Sequence, residues 1–108
     1  LYLDRIPLLP GVRELLARGW VSSLHAANRR WTAGDIDAPV SDQAAGTAAS
    51  AVLFDPQTAG PLIASVPPQR ADACVGALRD CGYERAAVVG EVSVRQPDSP
   101  IRIRLSGG

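Results

Sequence analysis

Residues 1–6 set Leu1, Leu3 and Arg5 against Tyr2, Asp4 and Ile6, a period of two that predicts a short strand. Pro7 and Pro10 break it. Pro10 suits the first turn of a helix, where its missing N–H costs nothing. Val12, Leu15 and Leu16 then form one helical stripe, with Arg13, Glu14 and Arg18 on the outer face. Gly19 is placed to close that helix in the left-handed conformation. Between Trp20 and Trp31 the residues Ser22, Ser23, His25, Asn28, Arg29 and Arg30 are polar and show no apolar stripe, so the stretch reads as an ordered loop. Residues 32–40 hold Gly34, Asp35, Asp37 and Pro39 and read as a flexible connection. Ser41 or Asp42 can cap an alanine-rich helix over about residues 43–53. Asp55-Pro56 ends it, because the residue before proline disfavours helical angles.

The second half is more regular. Leu62–Val66 is a short apolar run that reads as a buried strand. Ala71, Cys74, Val75, Leu78 and Cys81 then fall on one face of a helix over about residues 68–81, closed by Gly82. Ala86–Val94 is a β-branched run, residues 96–100 a turn, and Ile101–Leu105 alternates Ile, Arg, Ile, Arg, Leu. That alternation predicts a half-buried strand with Arg102 and Arg104 toward water. The expected order is strand, helix, strand, strand, with a right-handed crossover joining the first two strands and a hairpin joining the last two.

Composition narrows the classes. With 108 residues the chain supports one domain, residues 1–108, and one modest core. Eleven basic residues balance eleven acidic ones, so a nucleic-acid partner is not expected. No apolar run approaches the ~20 residues of a membrane span. No basic-then-apolar leader is visible. There is no Met, even at position 1, so the chain is expected to be a fragment or a processed product. All the basic residues are Arg, which reflects codon usage more than function. Cys74 and Cys81 stand about 10 Å apart along a helix, beyond the ~7 Å that a disulfide allows. Free thiols fit a reducing cytoplasm.

Candidate chemistry is sparse. A zinc site from His25, Cys74 and Cys81 has no ligand spacing to support it, and the cysteines read as core. No spacing supports a triad from Ser22 or Ser23 with His25. Asp35 and Asp37 read as solvated carboxylates of a loop. No phosphate loop is present, and no lysine could complete one. Asn28, Arg29 and Arg30 could hold a phosphate or carboxylate, but a solvated pair of arginines is the simpler reading. Trp20 and Trp31 fit a lid or interface and the core equally well. Asp55, Gln57 and Thr58 crowd into a tight turn, where their side chains can satisfy the turn's own backbone N–H groups.

That turn carries a resemblance. Asp55-Pro56-Gln57-Thr58-Ala59-Gly60 is similar to the Asp-Pro-Gln-Thr-Ser-Gly-Gly motif near the C-terminus of selenophosphate synthetases (selenide, water dikinases). Residues 6–12, Gly19 and Asn28-Arg29 resemble the segment that precedes the motif, and Val89-Gly90-Glu91-Val92 resembles the family's penultimate strand. Residues 22–28 look closest to the branch fused behind a flavin-dependent NADH dehydrogenase-like module. The resemblance implies an α+β fold: a mixed sheet with helices on one face, part of the C-terminal domain shared with aminoimidazole ribonucleotide synthetase.

It also implies an intact enzyme that converts selenide, ATP and water to selenophosphate, AMP and phosphate with Mg²⁺. The family's nucleophilic Cys or selenocysteine, its Lys and its metal-binding aspartates lie upstream of the matched region. No catalytic, metal or cofactor residue is therefore expected here. Asn28, Asp55, Pro56, Gln57, Thr58 and Gly60 are expected to be structural. The implied partners are the N-terminal ATP-binding domain of a parent enzyme and a second copy. The partial sheet should leave an edge and an apolar face open, and the isolated chain should self-associate. Two positions depart from the motif: Ala59 replaces its Ser and Pro61 its second Gly. They leave open a non-catalytic regulatory or interaction module with the same fold. A sister kinase or synthetase, of the hydrogenase-maturation or thiamine-phosphate type, fits the motif less well.

Overall fold

The computed structural model describes residues 1–37, 48–57 and 60–107. Its elements are α1 (Val12–Ala17), α2 (His25–Thr32), β1 (Ile36–Asp37), α3 (Ala48–Val52), α4 (Ala71–Asp80) and β2 (Ile103–Arg104), with 3-10 turns at Leu3–Arg5 and Pro68–Arg70. Helices and a small sheet together make an α+β fold.

The sheet forms where three distant segments meet. β1 and β2 pair in parallel, Ile36 opposite Ile103 and Asp37 opposite Arg104. Asp35 O accepts from Arg102 N at 2.7 Å and Ile103 N at 2.9 Å, and Asp37 O accepts from Leu105 N at 3.0 Å. On the other side of the last segment, Leu3 N donates to Ser106 O at 2.8 Å and Ser106 N to Leu1 O at 2.9 Å, a parallel bridge at Tyr2. Tyr2 N donates outward to Val89 O at 2.9 Å. Leu3 and Leu105 are the buried apolar side chains among the described residues, with Leu1, Ile6, Ile36 and Leu53 packed on them.

Several expectations hold. α1 ends at Gly19 (φ 80°) and α4 at Gly82 (φ 95°), where a side chain would meet the left-handed penalty. The expected apolar face of α4 holds only in part: Ala71, Cys74 and Val75 are half-buried, but Leu78 and Cys81, beyond them on the same face, are exposed, which corrects the core reading of Cys81; both thiols are free. α3 gives way to a turn before Pro56. Residues 96–100 turn, with Ser99 N bonded to Gln96 O at 3.2 Å. The proposed cap at Ser41 or Asp42 and residues 43–47 of the expected helix lie outside the described residues.

Others are corrected. Residues 1–6 contribute one bridge and then curl into the 3-10 turn. Residues 25–32, read as loop, are helical. α2 turns His25, Asn28 and Thr32 inward, and so lacks the apolar stripe by which helices are recognised. Ile36–Asp37, within the expected connection, is a strand because it finds Ile103–Arg104 beside it. Leu62–Val66 and Ala86–Val94 form no strand. Leu62 is 97% and Val94 95% exposed, and neither run joins a ladder among the described residues. The expected crossover and hairpin are therefore absent among the described residues, and 101–105 pairs with β1 instead.

Leu3→Ala removes the most deeply buried side chain and should cost about 2–5 kcal/mol in urea denaturation. Leu62→Ala, the same deletion at a solvated site, should change stability by less than about 0.5 kcal/mol.

Candidate functional site

The family-like turn sits where α3 ends. Leu53 N, Phe54 N and Asp55 N donate to the carbonyls of Ser50, Ala51 and Val52 at 3.2–3.3 Å, tightening the last turn before Pro56 stops the helix. Gln57 Nε2 then donates to Asp55 Oδ2 at 3.1 Å, so these side chains bond each other across the proline. Thr58 and Ala59 lie outside the described residues. Among the described residues, a Cβ added at Gly60 would meet the Gln57 side chain, at 3.4 Å.

α2 supplies the other half. Ser22 organises its entry, with Leu24 N bonded to Ser22 Oγ at 3.2 Å and His25 N to Ser22 O at 3.0 Å. Asn28 Nδ2 donates to Phe54 O at 2.9 Å, in a partly buried bond between residues 26 apart in sequence. One turn earlier, the His25 ring meets the Phe54 ring edge-on, centroids 5.8 Å apart and planes at 88°. His25 Nδ1 is buried and has no hydrogen-bond partner among the described residues. Thr32 Oγ1 returns a bond to Asn28 O at 3.1 Å.

The structure thus joins Asn28 to the residue before the Asp55-Pro56-Gln57 turn, a contact that no local pattern revealed. The i, i+3 spacing of His25 and Asn28 was the available signal. Phe54, which receives both contacts, was missed. Trp20 (70%) and Trp31 (90%) are exposed, which removes the core reading. Arg29 and Arg30 are exposed too. Asp35 and Asp37 are not simply solvated: each meets an arginine of the neighbouring segment, Arg102 at 3.2 Å and Arg104 at 3.4 Å. Both pairs remain about half or more exposed and contribute little to stability.

Elsewhere an open groove of about 540 Å³ is lined by Arg5, Asp72, Val75 and Arg79 among others, none of them from the turn. Its arginines are already engaged: Arg79 donates twice to Ala86 O, and Arg5 lies 4.7 Å over the Tyr2 ring. No three His, Cys, Asp or Glu side chains converge as a metal site among the described residues. No helix among them is long and apolar enough to cross a membrane.

Known proteins decide the family. The chain is 38% identical over 87 residues, 81% of its length, to a protein of Burkholderia pseudomallei named selenide, water dikinase. It is 35% identical over 94% of its length to the one of Burkholderia cenocepacia, and 37% over 87% to the one of Geobacter metallireducens. The chain belongs with the C-terminal part of the selenide, water dikinases, or selenophosphate synthetases. It spans about a quarter of the length of these relatives, 24–27%. No family model and no solved structure matches it.

For a selenide, water dikinase motif, the geometry at Gly60 is permissive. Gly60→Ala should fold normally and shift stability by less than about 1 kcal/mol, as thermal denaturation would show.

Proposed function

We propose that this chain is the C-terminal portion of an ATP-dependent selenophosphate synthetase, inactive by itself. The supporting observation is identity across most of the chain to proteins named selenide, water dikinase, together with the Asp55-Pro56-Gln57-Thr58 motif. The parent reaction converts selenide, ATP and water to selenophosphate, AMP and phosphate with Mg²⁺. Phosphoryl transfer needs metal-bound phosphates and well-placed positive charge. The described residues offer no cluster of metal ligands, and the chain contains no lysine. From the family resemblance, we assign nucleotide and metal to the N-terminal ATP-binding domain of the parent. This portion would support the fold, the homodimer and closure over ATP, in an aminoimidazole ribonucleotide synthetase-like domain of a cytoplasmic enzyme. Asn28 and the Asp55–Gly60 motif would act structurally.

A second reading is a non-catalytic regulatory or interaction module. Ala59 and Pro61, in place of the motif's Ser and second Gly, favour it. Pro61 fixes φ and removes a donor where a glycine would leave both free.

³¹P NMR of the intact parent with Mg-ATP and selenide separates the two. Selenophosphate and AMP should appear together, and the chain alone should produce neither. ATP left untouched by a folded parent would select the module. The exposed apolar residues Leu62, Ile63, Val92 and Val94 also predict self-association of the isolated chain. Light scattering should show mass rising with concentration in the micromolar range, and a constant monomer mass would refute this.

A further inference from the structure

We infer that His25 and Asn28 are positioning residues: together they form a latch by which α2 holds the Asp55-Pro56-Gln57 turn in place. Both grip one residue, Phe54, from two directions. Asn28 Nδ2 takes the backbone carbonyl at 2.9 Å, and His25 takes the ring edge-on at 5.8 Å. The two lie three apart on α2, on the same face and one turn apart, so moving the helix moves both contacts. Phe54 O lies just beyond the end of α3, and Asn28 satisfies it in a partly buried position. The next residue is Asp55, tied to Gln57, with Pro56 between them rigid in φ. Holding Phe54 by both backbone and ring therefore fixes where the turn begins and which way it leaves α3. Among the described residues, His25 makes no hydrogen bond through its buried Nδ1, and its part in the latch is the ring contact. The inference is independent of the synthetase reading, because it concerns geometry in this chain and its test needs no activity.

The test is amide hydrogen exchange on the full chain. The amides of Leu53, Phe54 and Asp55 are bonded in the turn that leads into the latch and report its opening, with those of α4 as the reference outside it. Asn28→Asp keeps the shape, but an ionised carboxylate cannot donate to Phe54 O. At pH 7 protection of residues 53–55 should fall about tenfold, with α4 unchanged. Below about pH 4 the carboxyl carries a proton that it can donate again, and protection should return. His25, Arg29 and Arg30 on α2 and Asp55 on the turn are ionisable groups that the wild type carries as well. Recovery is therefore read as the ratio of variant to wild type at each pH. His25→Leu should loosen the same amides with no recovery in acid. Unchanged protection at 53–55, or a loss shared equally by α4, would overturn the latch. A local loss in Asn28→Asp that acid does not reverse would overturn the role of the Asn28 donor. Should Asn28→Asp fail to fold, His25→Leu decides by the same local and global criteria.

Discussion

The last segment of the chain lies between two partners, and the rest of the described structure depends on that arrangement. Residues 102–105 bond to Asp35 and Asp37 on one side, and Ser106 bonds to Leu1 and Leu3 on the other. Each bond contributes only about 1 kcal/mol net. Together they bring Leu3 and Leu105 face to face and exclude water from both. Leu53 then packs against this pair, which seats α3 and the turn that follows it. Among the described residues the buried apolar core is these two leucines, so the long-range backbone bonds carry much of its order.

The family-like turn is held from two sides as a result. Leu53 anchors its approach to the core, and Asn28 and His25 hold Phe54 from α2. Two neighbouring residues at the end of one short helix thus connect the core, α2 and the motif. The geometry of Asp55 and Gln57 follows from these contacts at the end of α3.

The apolar runs 62–66 and 86–94 stand in contrast. Their composition is that of strands, yet Leu62, Val92 and Val94 are almost fully exposed. Extended chain becomes a strand only when a neighbour supplies the ladder, because its backbone groups otherwise bond to water. The curated relatives are about four times the length of the matched region, and a sheet neighbour for these runs fits the proposal of a larger parent. The same open edges are what would drive copies of the isolated chain together.

Local sequence determined the elements whose signals are local. Gly19 and Gly82 mark the ends of α1 and α4, because only glycine enters the left-handed region freely. Asp55-Pro56 stops α3, the spacing Ala71, Cys74, Val75 lays out the inner face of α4, and the alternation at 101–105 sets Arg102 and Arg104 outward. The Asp55-Pro56-Gln57-Thr58 motif, with the residues around it, was enough to indicate the family. Tertiary structure alone decided pairing. An alternating run states which side chains share a face but not which segment lies beside it, so β1 was read as a connection and 101–105 was assigned the wrong neighbour. It also decided α2, whose inward face is His25, Asn28 and Thr32. Polar residues identify a buried face only once their partners are in place, and the partner of both His25 and Asn28 is Phe54, which the chain brings to them across more than two dozen residues of sequence.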